Sequence, residues 1–198
     1  MPYSQQLLDL FQQQAIVRPR DLAHHGIPVT TLRQLYLQGR IRRAGRGIYL
    51  LPDADLSEHH SLAEAAKRVP HGVICLLSAL EFHKLGTQAP FEIWMAIDRK
   101  ARRPQAGNIP LHIVRFSGAA LTDGIDQQPI EGISVRIYNA AKTVADCFKY
   151  RNKIGLDVGL EALREGLRER RFTPDELWHY AQVCHVTRVM QPYLEALL

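Results

Sequence analysis

The sequence predicts an α+β protein: an N-terminal winged helix-turn-helix over residues 1–52, followed over residues 57–198 by a larger mixed domain that joins a small sheet to a C-terminal helical bundle. Three observations lead there. Two short helical patterns are separated by Gly26-Ile27-Pro28 and followed by a glycine-punctuated run, Arg40 to Leu51. Apolar runs of strand length lie at 91–97, 111–116 and 125–138. From Asn139 onward the apolar residues recur at helical spacing.

Charge divides the chain in the same way. Residues 1–51 carry seven arginines, Arg18, Arg20, Arg33, Arg40, Arg42, Arg43 and Arg46, against Asp9 and Asp21. The rest balances, so the whole formal charge of +5 sits in the first quarter. Localised positive charge is the footprint of a polyanion, because each Lys or Arg that meets a phosphate releases a condensed counterion. Double-stranded DNA is the partner this pattern suggests.

Leu7, Leu8, Leu10 and Phe11 stripe a Gln-rich first helix that ends before Pro19. A second helix, Pro19 to His25, stops at Gly26, and a third runs from about Val29 to Gln38 with Val29, Leu32, Leu35 and Tyr36 expected inward. Gly39 closes it as a left-handed cap. In the segment that follows, Gly45 and Gly47 are expected to supply the positive φ angles of a hairpin tip. In such an architecture the third helix enters the major groove. Thr30, Thr31, Arg33, Gln34 and Gln38 are then the outward readout candidates, Arg suiting guanine and Gln adenine. Arg40, Arg42, Arg43 and Arg46 would reach phosphates or the flanking minor groove, with Arg18 and Arg20 adding to the basic surface.

Beyond a linker at 53–57, Ser57 is a candidate cap for a helix to about Val69, and a second helix is expected after Gly72 using Ile74, Leu77, Leu80 and Leu85. Phe91 to Ile97 and Leu111 to Phe116 read as strands, and Ile125 to Tyr138 as a hairpin turning at Glu131-Gly132, in a mixed or antiparallel sheet. Asn139 caps a helix containing Val144, Cys147 and Phe148. Leu156, Leu160, Leu163 and Leu167 form the next stripe, and Thr173-Pro174-Asp175-Glu176 is a capping box opening a helix through Val183.

The motifs nominate no catalytic residue, metal site or cofactor. Cys75, Cys147 and Cys184 lie far apart in apolar patterns and read as buried thiols, and the adjacent pairs His24-His25 and His59-His60 point apart on a helix. A nuclease-like alternative rests on Glu92, Asp98 and Lys100, a carboxylate, one spacer and a lysine at the end of an apolar strand, but no upstream acidic ligand completes it. The run Arg99, Lys100, Arg102, Arg103 reads as a basic loop. No segment has the length and apolarity of a signal peptide or a membrane span, so a soluble, cytoplasmic protein without a membrane partner is expected.

RDLAHHGIPVTTLRQLYLQGRIRRAGRGIYLLP (20–52), ALEFHKLGTQAPFEIWMAIDRKARRP (79–104), VRFSG (114–118) and AKTVADCFKYRNKIGLD (141–157) together resemble the AbiEi family of antitoxins and transcriptional regulators of bacterial defence systems. The GRGIYLLP and AKTVADCFKYRNKIG segments are the most specific parts. The resemblance implies a winged helix that binds inverted repeats in its own promoter and represses the operon, with a C-terminal domain that counteracts a nucleotidyltransferase-type toxin. It puts the DNA role on Arg33, Arg40, Arg42, Arg43 and Arg46 and the helix from Thr30 to Gln38. It puts the antitoxin role on a basic, polar turn, Lys149, Tyr150, Arg151, Asn152 and Lys153.

Overall fold

A computed structural model describes residues 2–104, 107 and 109–197. The chain is mixed α/β and forms two compact units, Met1–Pro70 with Gln105–Ile109 and Gln128–Val135, and His71–Pro104 with Pro110–Gln127 and Arg136–Leu198.

The first unit begins with α1 (Pro2–Gln13), α2 (Asp21–His24) and α3 (Val29–Leu37), followed by the antiparallel hairpin β1 (Arg42–Gly45) and β2 (Ile48–Leu50) and then α4 (His60–Arg68). Leu7, Leu10 and Phe11 of α1 pack with Leu22, Ile27, Leu32, Leu35 and Ile41 in one apolar cluster. Gly26 and Gly39 take positive φ, and Arg40 N–H returns to the Leu35 carbonyl at 3.0 Å, which ends α3 as the glycine predicts. The hairpin departs from expectation at its tip. Only Gly47 of the two glycines has positive φ, because the register slips between Arg43 and Gly45 and a bulge absorbs the turn.

Ser57 does not cap α4. Its N–H and hydroxyl donate to Glu131 Oε1 at 2.8 and 3.0 Å, and the residue before the helix is His59. Glu131 is the centre of this part of the unit: its carboxylate also meets His60 Nδ1 at 2.8 Å, and its carbonyl accepts from Ala15 N–H at 3.0 Å.

The second unit contains β3 (Val73–Ile74), α5 (Leu76–His83), β4 (Ile93–Asp98), β5 (Leu111–Phe116) and α6 (Ala119–Thr122). The strands β6 (Ile125–Ile130) and β7 (Ile133–Tyr138), whose residues 128–135 belong to the first unit, come next, followed by α7 (Ala140–Ile154), α8 (Leu156–Arg168), α9 (Pro174–Val183) and α10 (Thr187–Glu195). The sheet order is β5-β4-β3-β7-β6. It is mixed: β4 pairs parallel with β5 and antiparallel with β3, and β3 pairs parallel with β7.

Ile74 is therefore a strand residue rather than the start of the second helix. Two residues suffice because β3 is the central strand, hydrogen-bonded on both sides and fully buried, where pairing outweighs local propensity. Phe91, expected at the head of β4, lies before the strand and is 88 % exposed. The β6–β7 turn falls at Glu131 and Gly132, with φ of 53° and 75°. Consecutive positive angles of this kind match the right-handed twist of the flanking strands.

Asn139 caps α7 by accepting from Lys142 N–H at 2.9 Å, and Thr173 and Glu176 close their capping box at 2.7 and 3.2 Å. The buried face of α8 is Val158, Gly159, Ala162, Leu163 and Gly166, so three of the four stripe leucines, Leu156, Leu160 and Leu167, sit at its margins. Small residues take the centre because rings fill the space: a Cβ on Gly159 would touch the Phe148 ring at 3.5 Å, and one on Gly166 would clash with Phe172. The three cysteines are buried and unpaired. No helix among the described residues is long and apolar enough to cross a membrane.

Candidate nucleic-acid interface

Helix α3 is positioned by Thr31, Leu32 and Leu35, which are 5 %, 2 % and 1 % exposed. At about 100° per residue these three side chains define the inward direction. The opposite face then carries Thr30, Arg33, Gln34 and Leu37, all exposed, with exposed Gln38 on the flank. This corrects the predicted orientation. Thr31 is buried rather than available to a partner, while Val29 and Tyr36, expected inside, are 55 % and 46 % exposed. Leu32 and Leu35 keep their expected inward places, and Thr31 rather than Val29 completes the buried face beside them. The Tyr36 ring rests edge-on against Tyr49 at 6.3 Å, which anchors the helix beside the hairpin.

Leu37, 73 % exposed at the centre of the outward face, is a surface feature that the polar-residue pattern missed. Its signal was present in the spacing, because it lies three and four residues from Gln34 and Arg33 on the same helix face. Val29, Arg33, Tyr36, Leu37 and Tyr49 line a shallow hollow of about 470 Å³.

The hairpin separates its faces by strand. Ile48 and Leu50 of β2 are buried, whereas Arg42, Arg43 and Ala44 of β1 are exposed. Arg43 Nε donates to the Gly45 carbonyl at 3.1 Å and closes the bulge. Arg40 and Arg46 are exposed as well. Behind the tip, Arg68 is held by Glu64 at 2.8 Å and reaches the Arg46 carbonyl at 3.4 Å. A Cβ on Gly45 would lie 2.9 Å from Arg68 Nη2, so glycine there allows the close approach rather than the turn.

Arg18 and Arg20 are used differently from the other five. Both donate to the Lys67 carbonyl, at 2.6 and 2.7 Å, satisfying a backbone group in the last turn of α4. Lys67 itself pairs with Asp21 at 2.9 Å. Burial and the neighbouring Arg20 charge lower the Arg18 pKa from its ordinary value. By contrast, none of Arg33, Arg40, Arg42, Arg43 and Arg46 forms an ion pair with a described residue.

The other candidates scatter. Lys149 to Lys153 are not a turn but the last turns of α7: Lys149, Asn152 and Lys153 are exposed, and Arg151 folds onto the Phe148 carbonyl at 3.0 Å. Asp98 Oδ1 accepts from Lys100 N–H at 2.7 Å, and Glu92 meets His112 at 3.2 Å at the other end of β4, so the two carboxylates do not converge. Arg99, Lys100, Arg102 and Arg103 are exposed. Among the described residues no three His, Cys, Asp or Glu side chains form a group that could hold a metal ion.

Comparison with solved structures finds the fold again in the crystal structure of the RV2827C protein from Mycobacterium tuberculosis. The TM-score is 0.58 at 14 % identity, covering 92 % of this chain and 72 % of that one. No curated protein matches the sequence. Residues 5–52, which hold α1 to α3 and the hairpin, match the family model described as transcriptional regulator, AbiEi antitoxin.

Proposed function

We propose that the chain is a DNA-binding transcriptional autorepressor and antitoxin, in which residues 1–52 act as a winged helix on inverted repeats of its own promoter and residues 57–198 counteract a nucleotidyltransferase-type toxin. The observation that carries this reading is the division of labour among the arginines of the first unit. Two are bonded to the carbonyl of α4, and five remain exposed on α3 and the hairpin with no ionic partner among the described residues. Such uncompensated charge is arranged for phosphate.

In this reading Thr30, Arg33 and Gln34 face base edges, Leu37 meets thymine methyl groups, and Gln38 and Arg40 flank them. Arg42, Arg43 and Arg46 follow the phosphates or the adjacent minor groove. Lys149, Asn152 and Lys153 are the exposed part of the surface proposed to act against the toxin. The family description, that of a regulator and antitoxin, supports a role without catalysis.

The test is fluorescence anisotropy of the whole protein with the duplex upstream of its gene and with a scrambled duplex, at two salt concentrations. Tighter binding to the native duplex, with a log–log salt slope of several times ~0.9, is the expected result. Equal, weak binding to both would overturn the repressor reading. Co-expression with a neighbouring nucleotidyltransferase-like gene tests the antitoxin role, with restored growth expected.

A further inference from the structure

The second unit holds an open cavity of about 490 Å³ whose floor includes Asp146 and Cys184. Asp146 is 1 % exposed, and directly behind it Lys142 is fully buried, with Nζ 2.7 Å from both carboxylate oxygens. The Cys184 thiol donates to Asp146 Oδ1 at 3.1 Å. The Lys142 ammonium also lies 4.2 Å from the Tyr138 ring centre and 5.0 Å from that of Phe116. A buried ion pair of this kind is a poor way to stabilise a fold, because well-packed apolar residues of similar volume generally do as well or better. Its place at the end of a cavity points to a use other than stability.

The walls and mouth have distinct chemistry. Phe116 and Tyr150, with ring centres 5.7 Å apart, form an aromatic side. Arg115, Lys149 and His185 line the cavity and are exposed; Arg115 Nη1 donates to the carbonyls of Asp98, Arg99 and Ala101 at 3.2, 2.8 and 2.8 Å, which holds its guanidinium at the mouth beside the Lys149 ammonium. His185 holds φ of 57° in the helix-ending position where glycine is usual, and the Val186 N–H to Ala181 carbonyl bond at 2.8 Å fixes it there. Burial of Tyr150 moves its pKa up to about 12, so it meets a ligand as a neutral ring and hydroxyl. Asp146 has accepting capacity beyond the three hydrogen bonds it receives.

We propose that this cavity binds a nucleoside monophosphate, with the base against Phe116 and Tyr150, a base donor on the Asp146 carboxylate, and the phosphate at Arg115, Lys149 and His185. The volume lies within the range of small-molecule sites. Three features of the site answer three parts of that ligand. A bare anion would use only the mouth, and a nucleoside would use only the wall and floor. This site is independent of the DNA-binding reading, since every residue in it belongs to the second unit.

The experiment is isothermal titration calorimetry of the full-length protein with the four common nucleoside monophosphates, the matching nucleosides and inorganic phosphate. At least one monophosphate should bind, with the nucleoside and inorganic phosphate each weaker by about tenfold or more. Lys149→Glu and Tyr150→Leu should each weaken that monophosphate by about tenfold, with the circular dichroism spectrum and operator binding retained. The proposal is overturned if no monophosphate binds at about 1 mM. It is equally overturned if inorganic phosphate binds as well as the ester, or if both variants bind like the parent protein. Loss of operator binding with ligand binding intact would refute the repressor reading alone.

Discussion

The exposed arginines of the first unit and the buried ion pair of the second put charge to different uses. In the first, five arginines stand in solvent without an ionic partner among the described residues; in the second, one lysine and one aspartate are buried 2.7 Å apart. Solvated charge costs a small domain little when spread over a helix and a hairpin, and it stays available to an incoming polyanion. Interior charge costs desolvation at each end, so the pair must remain matched for the unit to fold. Charge in solvent thus remains open to the partner proposed for the first unit, whereas the buried pair constrains the interior of the second.

The largest effect should come from unmatching the buried pair. Lys142→Met leaves Asp146 alone in the core, and a loss of about 3–5 kcal/mol in urea unfolding of the second unit is expected. Combining it with Asp146→Leu should recover much of that loss; a double variant no more stable than the single one would sink the contrast. The triple replacement of Arg42, Arg43 and Arg46 by Ala should leave stability almost unchanged but lower the DNA salt slope by about three. Between 50 and 200 mM salt that removes roughly a 40-fold dependence of affinity.

Arg33→Ala should cost about 1–3 kcal/mol on the preferred duplex and less on a scrambled one, measured by competition anisotropy. A uniform loss on both duplexes would move Arg33 from base reading to phosphate contact. The smallest change is expected at Thr173→Ala, about 1 kcal/mol by thermal unfolding, because one side-chain cap is lost while Pro174 and the rest of α9 remain.

Local signals were the legible ones. Gly39, Glu131-Gly132, Asn139 and the Thr173 capping box all act through contacts within a few residues, and their elements lie where the pattern put them. The candidate interface was legible in kind, as a basic helix and hairpin, but its facing was not. A helix of nine residues offers two neighbouring apolar stripes, and packing against α1 selected the one with Thr31 in place of Val29. Arg18 and Arg20 looked like the other arginines because nothing in their neighbourhood announces the Lys67 carbonyl, 49 and 47 residues away. The cavity was invisible for the same reason: Asp146 and Cys184 are 38 residues apart, and in sequence each sits in an apolar helical pattern.

What the sequence determined by itself was the order of the longer helices and strands without β3, α6 and α10, the turn or cap at Gly39, Glu131-Gly132, Asn139 and Thr173, and the segregation of net charge into the first quarter of the chain. These depend on short-range sterics, hydrogen bonds between near neighbours and a count of charges. The tertiary structure alone decided that Ile74 pairs on both sides as a central strand and that α8 buries its glycines. It also decided which arginines meet a carbonyl rather than solvent, and that Asp146 lines a cavity with Lys142 behind it. Each of these depends on which distant surface arrives to cover a residue, and burial is a property of that pairing rather than of either segment.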